Sequence, residues 1–559
     1  MEYQLLLNSL NFSTAVQWMP NDSLDDFFSD PINWADIRQF PNEYLERRKH
    51  RLLQYDTLPH IIEHVPKKSG LLREAVWLHP THRILYLSIL HRLLPRLDVR
   101  LCGEIYSYRL DSKEDTDKYP FGRRMDRWKD YHNDFRRAAL EESTVAVLFT
   151  DLNSYFDHIQ IDRLTSRIQS ILGSTIDKGD QAVIDLLASL LRMWGHEGFG
   201  MPHNYDASSF FGSIYLHNVD CEMVSKRYRY FRWLDDIRIV TQSKDQALRA
   251  LHDLQRILAQ HRLFLATDKT HIYQKGCAEF DRLLDVDDDL LLSEAEETIT
   301  KGDKVELEKI VEGMFERLEF HATQDGDERK FRAFANRLLD VSNYEEMAND
   351  IVPRIHDFVI PRLRTHPERS DYWTKMLSVK PTQKVGEVLH ELLVATSSMF
   401  DWQRFYLWKL ATNIPSSLIP LALFEKAKDV SISSLSENVS SQCIVFMGRH
   451  LDNTARENLF TGLFSAQRSY IIQRAVLIAI QELPNKDYYY SRALETNSDH
   501  RELIDYLKNR PQPDYGIKER PTRHCREEPI HFKHLIKRGV GLSKGKPRSF
   551  RISRSDYDY

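Results

Sequence analysis

Between Tyr230 and Val240 the chain reads YFRWLDDIRIV, two runs of aromatic and β-branched residues split by a pair of carboxylates, Asp235 and Asp236. Alternation on both sides is a strand signal, so the pair falls at the tip of a β-hairpin. A further carboxylate, Asp151, ends another apolar run, VAVLFTD. If these strands are neighbours, three acids converge at one edge of a sheet. Like charges so close repel and raise one another's pKa values, and the arrangement calls for positive charge. Oxygen ligands of this kind suit Mg²⁺, which takes a few carboxylates together with substrate phosphates. Two such ions about 4 Å apart stabilise both the attacking and the leaving oxygen of an in-line phosphoryl displacement.

The rest of the chain supplies a setting for that edge. At 559 residues it exceeds one ordinary domain. Residues 1–70 mix short amphipathic pieces, EYLERRKHRLLQY among them, with polar loops, and read as an N-terminal extension. Residues 71–285 alternate helix and strand. THRILYLSILHRLLPRLD has helical spacing, EIYSYRL reads as strand, and ASSFFGSIYLHNVDCEMVSKRY reads as one helix after the glycine-punctuated loop GFGMPHNYD. From about 290 to 510 strands give way to successive amphipathic helices, the pattern of a helical-repeat domain. Residues 511–559 form a basic tail, with twelve Lys or Arg against three Glu between Lys518 and Arg554.

Composition narrows the partners. The net charge of −5 advertises no polyanion globally, so nucleic-acid contact has to come from local basic patches. The five cysteines include no Cys-x-x-Cys pair, which argues against a zinc site or a disulfide framework. No stretch approaches the roughly 20 apolar residues a membrane helix needs. The chain reads as soluble and cytoplasmic, with no membrane partner.

From about Arg73 to Tyr273 the sequence resembles the fingers and palm of a reverse transcriptase. FTDLNSYFDHI resembles motif A, GMPHNYDASSFFGSIYL motif B, RWLDDIRIV motif C and LATDKT motif D, in the family's order; LLREAVWLHPTHRILYLSILHRLL and YSYRL resemble finger segments. The fold implied is α+β, a right-hand fingers and palm with an antiparallel sheet and helices, followed by an all-α helical-repeat domain. The resemblance makes Asp151, Asp235 and Asp236 the catalytic acids. They would hold two Mg²⁺ ions, with Mn²⁺ as a substitute and the Leu152 backbone assisting. Phe156 falls at the steric gate that excludes a ribose 2′-OH, while Tyr155 packs. Ser208 and the loop Gly200–Asn204 would line the incoming nucleotide, Lys269 would neutralise or protonate the departing pyrophosphate, and Arg73 and Arg109 would contact the triphosphate. Trp233 stands where Tyr or Phe is usual and still offers an aromatic wall.

Motif B departs from the family pattern. His203 and Asn204 stand where Gln-Gly is common, and Asp206 adds negative charge near the expected template path. The layout beyond the palm resembles the prokaryotic abortive-infection and unknown-group defence reverse transcriptases, which have an α-helical C-terminal half and a role in antiphage defence. The partners implied are dNTPs and nucleic acid (an RNA template or non-coding RNA, and a DNA product), with a homo-oligomer or a companion defence protein left open. Three readings stay open: RNA-directed DNA synthesis, template-independent synthesis primed by a protein hydroxyl, with Tyr557 and Tyr559 as candidate primers, and a catalytically silent nucleic-acid-binding scaffold.

Overall fold

The aspartate hairpin lies inside a four-stranded antiparallel sheet. The computed structural model describes residues 2–48, 58–111, 119–122, 124–284, 287–323, 326–396, 398–517 and 522–525. Strands β1 (His60–Pro66) and β2 (Leu72–Leu78) form a two-stranded ribbon; β3 (Ala146–Thr150), β4 (Arg229–Trp233), β5 (Asp236–Thr241) and β6 (His271–Gln274) form the larger sheet in the order β4-β5-β3-β6. With a neighbour on each side and both faces covered, β3 reads as a near-continuous apolar run rather than an alternating one.

Around this sheet the chain places α1 (Glu2–Ser9), α2 (Phe12–Asp22), α3 (Ala35–Gln39), α4 (Pro41–Arg48), α5 (Pro80–Asp98), α6 (Arg124–Leu140), α7 (Ile161–Leu172), α8 (Lys178–Trp194), α9 (Asp206–Tyr215), α10 (His217–Ser225), α11 (Lys244–Gln260) and α12 (Ala278–Leu283). On α6, Tyr131, Phe135, Ala138 and Ala139 recur at helical spacing and pack with Val147, Phe231, Trp233, Val240 and Phe280. The alternate strand residues Leu148, Ile237 and Ile239 are buried as well, and α11 packs on β3 and β5. Helix α5 opens with Pro80 at its first position and His79 as cap, and most of its residues are buried among α2, α8 and α9. Its Arg92 donates to Asp180 (2.9 Å), whose carboxylate also completes the capping box of α8.

The chain divides into two units: residues 1–63, 74–285 and 497–510 form one, and 64–73, 286–496 and 511–559 the other. Residues 1–63, expected as part of a separate extension, thus cluster with the sheet. So does the helix Arg501–Asn509, whose buried Glu502 accepts from Arg47 (2.9 Å) and Arg48 (3.0 Å) of α4. The second unit is helical, and among the described residues no strand follows Gln274. Its helices Glu437–His450 and Tyr470–Ala479 approach closely at Gly448, where any Cβ would strike Ala479. No helix among the described residues is long and apolar enough to cross a membrane.

Two local expectations are corrected. EIYSYRL is not a strand: it makes isolated bridges at Ile105 and Leu110 and turns at Tyr108, whose φ is 51°. The helix expected from Ala207 to Tyr228 is two helices, α9 and α10, meeting at Leu216. Most of the basic tail, with Tyr557 and Tyr559, lies outside the described residues.

Candidate active site

Strand register determines where the acids meet. Thr150 pairs with Ile237 and Trp233 with Asp236, leaving Leu234 and Asp235 as a two-residue turn. Asp151 follows one step beyond the last β3 pair, alongside Asp236. Leu234 adopts φ 53°, the left-handed region that tight hairpin turns need and leucine resists. Its N–H donates to Ser107 Oγ at 3.0 Å, and its carbonyl accepts from Arg232 Nη1 at 2.8 Å. Arg232 is wholly buried. Its Nε and Nη2 each lie 2.7 Å from the Asp220 carboxylate, which also accepts from the Tyr230 hydroxyl at 2.9 Å. A buried ion pair on α10 and β4 therefore braces the turn that carries Asp235.

The electrostatics show a shortage of positive charge. Burial, then the charges of Asp151 and Asp236, push Asp235 up to about 7, against the pull of Lys269. The Lys269 ammonium donates to Asp151 Oδ2. Burial alone would lower this lysine, but the Asp151, Asp235 and Asp236 charges outweigh it and hold its pKa above the ordinary value. The three carboxylates do not all lie within 4.8 Å of one another; among the described residues the group that meets this spacing is Cys102, His217 and Cys221. The acids nonetheless fit divalent cations chemically: they are oxygen donors only, on adjacent strand ends, facing a single ammonium.

Motifs A and B pack on one another. Tyr155 is buried, as expected, and its hydroxyl donates to the Gly212 carbonyl at 2.5 Å. Phe156 is half-buried, with its ring 5.1 Å from that of His203, whose Nε2 pairs with Asp157 Oδ1 at 2.7 Å. A Cβ at Gly212 would come within 3.2 Å of Tyr155 and 3.4 Å of Phe156. Gly212 therefore makes room for both rings. The sequence reading passed over it, although a glycine in the middle of a helix was the available signal. Asn204 has φ 63° and its side chain donates to the Asp25 carbonyl at 2.9 Å. Asparagine tolerates this left-handed conformation better than most residues, so the absence of the usual glycine leaves such a turn accessible.

Several expected residues sit elsewhere. Ser208 is fully buried, with its hydroxyl 3.0 Å from that of Tyr86. Arg109 makes four hydrogen bonds, to the Asp98 carboxylate (2.7 Å) and to the carbonyls of Asp98, Cys102 and Ile105; it clamps the loop after α5 instead of reaching for a triphosphate. Trp233 turns into the core against Trp128, with rings 4.9 Å apart, so it forms no wall of the site. Asp206 is buried too: it takes the Tyr119 hydroxyl and its N–H donates to Asp22. Leu152 is buried and bridged to Leu265. Arg73 is half-buried on β2, in the segment counted with the second unit.

Residues 66–283 match the family model described as "Reverse transcriptase (RNA-dependent DNA polymerase)". Residues 66–283 thus form a reverse transcriptase domain. Among solved structures, apo telomerase from Candida tropicalis truncated from its C-terminal domain is similar at 13% identity and a TM-score of 0.27, over 42% of this chain and 56% of that one. The apo Candida tropicalis telomerase gives 12% and 0.29, over 85% and 74%, and the Candida albicans telomerase with a fragment of telomeric RNA 10% and 0.27, over 85% and 68%. This chain therefore spans little more than half of the first of these, and overlaps so loose add nothing to the domain match. No curated protein matches the sequence.

Proposed function

We propose that the protein is an RNA-directed DNA polymerase in which Asp151, Asp235 and Asp236 hold two Mg²⁺ ions, and that it serves in bacterial antiphage defence. The observation that carries the polymerase reading is the placement of three carboxylates at two adjacent strand ends, with Lys269 bonded to Asp151 and drawn by the charges of the other two. Bound there, Mg²⁺ supplies charge stabilisation to the attacking and leaving oxygens of phosphoryl transfer.

The chain's own residues do the rest. The braced Leu234 turn fixes Asp235 and Asp236 against Asp151. Lys269, held protonated by the three acids, is placed to neutralise a departing pyrophosphate or to give it a proton. Phe156, seated by Gly212 and His203, presents a ring edge where a ribose 2′-OH would intrude. The Leu152 backbone remains a candidate metal contact and Arg73 a candidate triphosphate contact. The defence assignment is supported by the resemblance beyond the palm and by the helical second unit.

Primer extension on an RNA template with the four dNTPs and Mg²⁺ tests the polymerase reading. Incorporation by the wild type and its loss in the Asp235→Asn, Asp236→Asn double variant are expected. Equal incorporation by both would overturn it. Phage challenge of cells carrying each form tests the defence role: undiminished protection by the double variant would favour a scaffold.

A further inference from the structure

Three residues from distant parts of the sequence converge on the far side of the Arg232 brace. His217 and Cys221 lie one helical turn apart on α10, and Cys102 comes from the loop after α5. The Cys102 and Cys221 sulfurs are 3.6 Å apart, and the Cys221 sulfur is 3.6 Å from His217 Nε2. All three ligand atoms lie within 4.8 Å of one another. A tetrahedral zinc ion, with Zn–S about 2.3 Å and Zn–N about 2.0–2.1 Å, sets S···S at about 3.8 Å and S···N at about 3.6 Å. The S···N spacing equals that edge, and the S···S spacing of 3.6 Å is slightly shorter than its own.

We infer that Cys102, His217 and Cys221 bind one zinc ion, separate from the carboxylate site. Two thiols and an imidazole are soft and borderline donors that favour zinc over Mg²⁺. Binding converts both thiols to thiolates and releases two protons to solvent; the imidazole donates a ring-nitrogen lone pair, and a water fills the fourth position on the side of exposed Cys221. A disulfide would join only the sulfurs and leave His217 without a role.

The position gives the ion a task. The Cys102 carbonyl is held by Arg109 at 2.9 Å, and the same loop runs on to pair with β4: the Arg232 N–H donates to the Glu104 carbonyl (3.0 Å) and the Tyr106 N–H to the Arg232 carbonyl (3.2 Å). It ends at Ser107, which receives the Leu234 N–H. On the other ligand arm, Asp220 sits between His217 and Cys221 and holds Arg232. Zinc would therefore staple together the two segments that support the catalytic turn.

The test uses the full chain, reduced and stripped by chelator, then titrated with zinc ion alone against a competing chromophoric chelator. About one equivalent is expected per chain. Cys221→Ser should weaken uptake by about a hundredfold or more, the upper end of what even an outer-shell change costs. His217→Gln should also weaken it, and cobalt in place of zinc should show thiolate charge-transfer absorption that is weaker in Cys221→Ser than in the wild type. The Asp235→Asn, Asp236→Asn variant should keep its equivalent, since its carboxylates are not ligands. Equal zinc uptake by wild type and Cys221→Ser would overturn the inference. So would loss of the Cys102 and Cys221 thiols to a disulfide in air, with no zinc taken up by the reduced protein.

Discussion

Replacing Asp220 with Asn removes one charge from a pair that water does not reach. Asp220 and Arg232 are both fully buried, and the carboxylate accepts two guanidinium hydrogen bonds and one from Tyr230. Asn keeps the shape but leaves one oxygen where two served and an uncompensated cation. Removing one partner of a buried pair costs about 3–5 kcal/mol; the retained amide oxygen places Asp220→Asn near about 3 kcal/mol. The exposed pair Arg229–Glu141, at 45% and 43% side-chain exposure, is the control, and Glu141→Gln should leave stability nearly unchanged. Because a chain of two units need not unfold in one step, the assay is native-state hydrogen exchange of the amides in β4 and β5. About 3 kcal/mol lost from the local opening equilibrium speeds exchange there by roughly 150-fold, while the control should exchange almost as the wild type does. Arg232, which holds the Leu234 carbonyl, loses its charged brace in the same variant, so nucleotide incorporation should fall as well. Exchange in Asp220→Asn no faster than in Glu141→Gln would refute the view that this pair supports the catalytic turn.

Other consequences can be measured directly. Asp235 is protonated below about 7, so a divalent cation must displace a proton to bind there; affinity for Mg²⁺ or Mn²⁺ should weaken about tenfold from about pH 8 to about pH 6, and calorimetric titration should find it, whereas an ordinary carboxylate would give no change. Phe156→Val should raise ribonucleotide incorporation relative to deoxyribonucleotide, read from competing extension reactions. Gly212→Ala gains about 1 kcal/mol of helix propensity but crowds Tyr155 and Phe156, an overpacking cost of about 1–3 kcal/mol; a lowered melting temperature and altered sugar selectivity are expected together. Asp22 and Asp206 share a buried patch, and burial pushes both carboxyls upward. Groups raised in this way favour the folded state in acid and lose that contribution as pH rises past the ordinary carboxylate range to neutrality and above. Asp206→Asn should therefore raise the melting temperature more at pH 8 than at pH 5.

The acids were legible in the sequence because strand period and strand ends are local properties: an apolar run that stops at Asp151, and an alternating one broken at Asp235, place carboxylates at an edge without tertiary knowledge. Tyr155 and Phe156 were told apart by the family resemblance alone, since both rings flank Gly212. Ser208 and Arg109 were not legible. Whether a serine on α9 meets Tyr86 or a nucleotide depends on how α5 packs, and whether an arginine reaches Asp98 depends on a loop that turns at Tyr108. EIYSYRL has strand composition but finds only isolated bridges, and propensity yields to that context. Cys102 lies more than a hundred residues from His217 and Cys221, beyond any spacing rule. Arg232 did leave a trace, since a charge inside an aromatic alternating run implies a buried partner, but nothing in the letters names Asp220.

The ion pairs of Glu502 with Arg47 and Arg48 set an order on the making of the protein. The ribosome emits the carboxylate some 450 residues after the arginines it neutralises. The sheet-bearing unit therefore waits, incomplete, through synthesis of the whole helical region, and a fragment cut after residue 285 would leave Arg48, only 3% exposed, without this counter-ion. Expressing residues 1–285 alone is expected to give a poorly soluble product, and supplying the missing helix as a peptide to improve it.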